Sequence, residues 1–266
     1  MPNQAVSPSL TITQSDFGRL STGESAQLFT LSNNQGTQIK ISNYGGIIVA
    51  LETLDKHQVS ADIVLGYNKV SDYETDPYYL GAIIGRYAGR IDQGQLAIDE
   101  RTYQLTLNNN DNQLHGGYQA LNKQLWQAST KSTPDKVSLT LQHTSPDGAN
   151  GFPGKVDFKV IYSLNNRNEL SVEYFAETDK TTVINLTQHS YFNLAGHNSG
   201  NIYQQQVQLN AEHFLPMNER IYPTGEIRSV ANSAHDFQSL TALGKNINSD
   251  DRQVKIAHGF DNYWLC

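Results

Sequence analysis

Residues 156–164 read VDFKVIYSL, and residues 136–144 read KVSLTLQHT. In the first, Val156, Phe158, Val160 and Tyr162 alternate with Asp157 and Lys159, and Ile161 interrupts the polar face. In the second, Val137, Leu139 and Leu141 alternate with Ser138, Thr140 and Gln142. A period of two puts one face of a strand in a core and the other towards water. Glu169–Glu177 repeats it through Leu170, Val172 and Tyr174, with shorter versions at Gln27–Leu31, Gln38–Ile41, Thr102–Leu107 and Gln205–Leu209. Turn clusters punctuate these runs at Asn33–Gly36, Asn43–Gly46, Asn108–Asn112, Pro146–Gly154, Gly196–Gly200 and Pro223–Gly225. Gly and Asn accept positive φ there, and Pro fixes a turn entry. Short strands at this spacing predict an all-β, antiparallel sandwich or barrel. No long segment carries a helical stripe, and Leu240–Ile247 is the one short helix expected.

Composition agrees. With 38% hydrophobic and 17% charged residues over 266 positions, the chain can bury a large core without metal or disulfide staples. No repeat, charge block or compositional break divides it, so residues 1–266 read as a single domain. The net charge of −7 disfavours a phosphate backbone as partner, so no nucleic acid is expected. No apolar run is long enough to span a membrane. The start, MPNQAVSPSL, has neither a basic end nor an apolar core and does not read as a secretory leader. The lone Cys266 permits no internal disulfide, which fits a reducing, cytoplasmic setting. Nucleotide-cradling, HExxH, CxxC and GxSxG patterns are absent, and the eight histidines are scattered rather than set at ligand spacing. No metal and no cofactor are expected. His189 and His197 could share an ion, but nothing supplies further ligands.

Polar residues inside apolar or glycine-rich stretches are the candidates for chemistry. In YLGAIIGRYAGRI (79–91), Arg86 and Arg90 interrupt small and apolar residues, to form a structural ion pair or to face a ligand. In LHGG (114–117), paired glycines allow a close backbone approach and His115 could bond what approaches; the alternative is a turn with a surface histidine. In NLTQHSYFNLAG (185–196), His189 sits in a run that reads as buried, suited to general acid work or to a hydrogen-bonded core. In HGFDNYWL (258–265), Asp261 lies among Phe260, Tyr263 and Trp264. Rings that stack on a sugar beside a carboxylate that holds its hydroxyls would look like this, and so would a closing edge strand.

Taken in order, these segments resemble the aldose 1-epimerase (galactose mutarotase) family. NYGGIIVAL (43–51), ADIVLGY (61–67), SPDGANGFPG (145–154) and FLPMNERIYPTGEI (214–227) resemble further family segments, so the likeness runs from about Asp16 onward. The resemblance implies a large antiparallel β-sandwich with a sugar in an open groove. It implies interconversion of the α and β anomers of aldoses such as galactose and glucose by acid–base ring opening and closure, without a cofactor. His189 matches the family's general acid. Arg90, His115 and Asp261 match sugar-binding positions, and Ser190 and Tyr191 follow in the binding segment. Arg86 matches an arginine not assigned to the sugar. Gly89 stands where the family usually has Asn, which costs one hydrogen-bonding side chain at the sugar.

The chain also stops five residues after Asp261. The resemblance therefore implies that the C-terminal strands, with a sugar-binding glutamine and the glutamate base, lie beyond it. That makes a catalytically weak or silent sugar-binding protein the alternative. A hexose-phosphate epimerase would need an additional basic cluster, which the motifs lack. A small aldose is the expected partner, to a monomer or homodimer.

Overall fold

The alternating runs become strands whose apolar faces meet in one core. The structure, a computed structural model, describes residues 10–266; the N-terminal stretch judged above for a leader lies almost wholly outside the described residues. Its contacts divide the chain into one unit ending at His197 and a second over Asn198–Cys266.

In the first unit the strands are β1 (Thr11–Arg19), β2 (Ser25–Ser32), β3 (Gln38–Ser42), β4 (Ile48–Leu54), β5 (Ser60–Asp62), β6 (Ile83–Ile84), β7 (Arg90–Asp92), β8 (Gln95–Ile98), β9 (Arg101–Gln104), β10 (Asn112–Leu114), β11 (Gln127–Ser132), β12 (Lys136–Ser145), β13 (Val156–Asn165), β14 (Leu170–Thr178) and β15 (Thr187–Gln188), with a one-turn helix α1 (Val70–Glu74). Strands β1 to β5 form a five-stranded antiparallel meander and β11 to β14 a four-stranded one. Phe29, Leu31, Ile39 and Ile41 of the first sheet share a buried cluster with Val137, Leu139, Leu141, Val156, Phe158 and Val160 of the second. This is the expected antiparallel sandwich. Trp126 lies in the same cluster, its indole N–H on the Leu121 carbonyl at 3.1 Å. Ile161, the residue that broke the alternation, sits half-buried on the outer face of β13. The buried Tyr162 hydroxyl is paired, donating to the Gly46 carbonyl at 2.6 Å.

The second unit contains β16 (Gln206–Val207), β17 (His213–Leu215), β18 (Arg228–Ser229), β19 (Thr241–Ala242), β20 (Tyr263–Leu265) and helix α2 (Arg252–Ala257). Asp251 caps α2 by accepting from the Gln253 and Val254 amides. Both helices escape a sequence reading because neither is long enough to show a 3.6-residue stripe. The helix expected over Leu240–Ile247 is instead strand β19 followed by a 3₁₀ turn, Leu243–Lys245. The cause is hydrogen bonding across the unit. The Leu243 and Gly244 amides donate to the Gln205 and Tyr203 carbonyls at 2.9 Å, so they cannot serve an α-helical ladder. The strands expected at Thr102–Leu107 and Gln205–Leu209 also shorten, to β9 and β16. Among the described residues no helix is long and apolar enough to cross a membrane.

Candidate active site

Residues 79–91 form a spine clasped by two other segments. On one side β15 pairs with β6, and the ladder runs on as the His189 amide donates to the Ala82 carbonyl at 2.9 Å and the Gly81 amide to the His189 carbonyl at 3.1 Å. On the other side β7 pairs with β10, setting Leu114 opposite Arg90. His115 follows at once. Its amide donates to the Gly89 carbonyl, and the Gly89 amide donates to His115 Nδ1, both at 3.0 Å. The apolar small-residue run thus brings the LHGG and NLTQHSYF motifs to one place.

There the side chains meet. The His115 and His189 rings lie 5.3 Å apart at 76°. Tyr79 stands edge-on to His115 at 4.8 Å and 6.0 Å from His189. Tyr191 approaches His189 from elsewhere at 5.2 Å. Arg90 donates from Nε to Asn109 Oδ1 at 3.1 Å, and its positive charge is felt by both Tyr79 and His115. Ser190 Oγ lies at the limit of hydrogen bonding, 3.5 Å from Gln188 Oε1. Among the described residues no group of three His, Cys, Asp or Glu side chains is arranged to hold a metal ion. His197, weighed above as a metal ligand, instead sets Nδ1 3.2 Å from Asp62 Oδ2.

His115 has a defined protonation state. Burial first, then the nearby His189 and Arg90, push the His115 pKa down to about 3. Since Nδ1 accepts from the Gly89 amide, the single proton of neutral His115 resides on Nε2. His115 is therefore a neutral hydrogen-bond donor at physiological pH. Gly89, expected to touch substrate, uses both backbone groups on His115.

Arg86 and Asp261 lie in different surroundings. Arg86 is 3% exposed, and carbonyls rather than a carboxylate satisfy it. Its guanidinium donates to the carbonyls of Ser145, Pro146 and Pro153 and to Ser145 Oγ, at 2.9–3.2 Å. It ties down the 146–154 turn, and desolvation lowers its pKa. In the second unit Asp261 is exposed, between α2 and β20. Its neighbours do not all form the expected stacking platform. Phe260 and Trp264 turn onto the fully buried His235, at 5.5 and 5.7 Å, while Tyr263 remains accessible. His235 also stacks flat on Phe214 at 4.5 Å, and Nε2 meets Asn262 Oδ1 at 2.8 Å. The edge-strand reading of this segment holds as well, since β20 lies at the border of the sheet β18–β17–β20.

Sequence reasoning missed Tyr79, Asn109 and His235. For Tyr79 the signal was the Asp76-Pro77 turn, whose carboxylate accepts the Tyr78 and Leu80 amides at 2.9 and 2.7 Å.

His115 and His235 make stability depend on pH. Burial holds the pKa of His115 and of His235 below the unfolded value, so below about pH 6.5 the unfolded chain binds more protons. Stability is complete above that pH and falls as the pH drops through it towards about 3 for His115. The urea midpoint is expected to be lower at pH 5 than at pH 7, and His235→Phe should flatten the difference. A midpoint independent of pH in the parent chain would refute this.

Two imidazoles, two phenols and a guanidinium gather beside a β-sandwich, the side-chain set of a candidate acid–base site. The comparisons narrow it. The family profile for aldose 1-epimerase matches residues 27–265. Galactose mutarotase of Bos taurus is 39% identical over 256 residues, covering 95% of this chain and 71% of the relative. Aldose 1-epimerase of Escherichia coli K12 is 32% identical over 243 residues, covering 91% and 69%. The crystal structure of galactose 1-epimerase from Lactobacillus acidophilus NCFM superposes with a TM-score of 0.87 at 30% identity, covering 97% of this chain and 74% of that one. The chain belongs to the aldose 1-epimerase family.

Proposed function

We propose that this protein is an aldose 1-epimerase that interconverts the α and β anomers of aldohexoses such as galactose and glucose. The observation that carries the reading is the meeting of His189 with a neutral His115, their rings 5.3 Å apart. Protonated His189 delivers its proton to the ring oxygen, while the anomeric hydroxyl loses its proton to solvent water. The C1–O5 bond breaks to give the open aldehyde. Rotation about C1–C2 turns the other carbonyl face towards O5, and the reversed proton transfers close the ring. General acid–base catalysis of each step contributes about 10²–10⁴-fold.

Neutral His115 suits the companion task, since it donates a hydrogen bond to the sugar without competing for the proton. Arg90 holds a sugar hydroxyl with the guanidinium nitrogens that Asn109 leaves over. Ser190 and Tyr191 contact further hydroxyls, and Gly89 acts at the sugar through the ring it orients. In this reading the whole chain works as one sandwich domain, as a cytoplasmic monomer or homodimer.

Polarimetry tests it. Freshly dissolved α-D-galactose and α-D-glucose are expected to reach their equilibrium rotation faster with the folded chain than without it. A folded sample that leaves both rates unchanged refutes the proposal.

A further inference from the structure

Tyr79 touches both imidazoles of the site, and nothing in the catalytic scheme above uses it. Its ring closes a triangle with them. It stands at 80° to His115 and 46° to His189, while the two histidines cross at 76°. The backbone holds it there at a cost. Tyr79 has φ of +58°, a left-handed conformation uncommon for an aromatic residue, which typically costs about 1 kcal/mol or more. The surrounding contacts sustain it: Asp76 accepts the amides on either side, and the Tyr79 carbonyl accepts the Ala82 amide at 3.2 Å. Among the described residues the phenol oxygen has no hydrogen-bond partner, so the ring rather than the hydroxyl engages the protein.

We propose that Tyr79 is a positioning residue for epimerisation, its ring fixing His115 and His189 at one mutual angle and shielding His115 from water. The inference rests on the function proposed above. A polar first shell works only when held to its productive geometry, and a displacement of about 1 Å can cost about 10²-fold in rate. Gly89 anchors one nitrogen of His115, but a single hydrogen bond leaves the ring free to tilt about it; the Tyr79 edge removes that freedom.

The test compares Tyr79→Ala with the conservative Tyr79→Phe. The alanine variant is expected to lose about 10²-fold in kcat with KM changed less than about 3-fold, and the phenylalanine variant to recover kcat to within about 3-fold of the parent. By NMR, the His115 midpoint should move up from about 3 towards the ordinary 6.5 in Tyr79→Ala and stay in place in Tyr79→Phe. His189 and Arg90 remain beside His115 in both variants, so the movement reports water alone. If the alanine variant fails to fold, Tyr79→Asn, which tolerates the left-handed backbone, replaces it.

Parental kcat without the ring would overturn the proposal, as would a phenylalanine variant as impaired as alanine or an unmoved His115 midpoint. A parent chain without activity would refute the proposed function instead, and the His115 titration would still decide the role of Tyr79.

Discussion

Replacing His189 by Asn is expected to bring the equilibration of α-D-galactose down to the uncatalysed rate, a loss of about 10²–10⁴-fold. Asparagine can donate a hydrogen bond at this position but cannot deliver a proton. The backbone would be undisturbed, because the Ala82 and Gly81 bonds use only the main chain of residue 189. His115 cannot take over, since its Nδ1 is committed to Gly89 and its pKa lies near 3. Polarimetry measures the loss, and circular dichroism checks that the variant is folded. A folded His189→Asn protein working at the parental rate would remove His189 from the mechanism.

The largest effect on stability is expected from Gly116→Ala. A Cβ at this position would lie 1.8 Å from the Gly85 carbonyl oxygen and 2.9 Å from the Arg86 amide nitrogen. These are backbone atoms of the spine, so no rotamer change relieves the clash. Gly116 also has φ of +92°, which side-chain-bearing residues rarely adopt. Overpacking ordinarily costs about 1–3 kcal/mol, and this substitution should reach or exceed the top of that range. Urea denaturation of the purified variant measures it, and a midpoint equal to the parent's would show that the spine can move aside. Gly148 also has a positive φ, but nothing within 4 Å would meet its Cβ, so the same change there should be milder.

The sandwich was readable from sequence because β12, β13 and β14 keep a period of two that Ile161 interrupts only once, and their apolar face enters the main core. The short strands and both helices were not, because their lengths are set by hydrogen bonds from distant residues, as at Leu243 and Gly244. The site divides in the same way. His189, His115 and Arg90 announced themselves as polar residues in apolar or glycine-rich runs. Their meeting depends on the register of β15 on β6 and of β10 on β7, which no local pattern encodes. Tyr79 is invisible for that reason, since its partners lie 36 and 110 positions along the chain. Arg86 misled because a buried guanidinium suggests a carboxylate, yet carbonyls of one tight turn satisfy it equally well. Phe260 and Trp264 misled because a run of alternating aromatics does not say which ring faces inward. His235, a residue that no motif singled out, decides it.

The chain has two tryptophans, and the fold gives one to each unit: Trp126 in the core of the sandwich and Trp264 against His235. Their fluorescence is therefore a built-in pair of reporters. With Trp264→Phe the emission follows the unit ending at His197, and with Trp126→Phe it follows Asn198–Cys266. Coincident transitions would mean that the chain melts as a single cooperative body; separated transitions would give each unit a stability of its own.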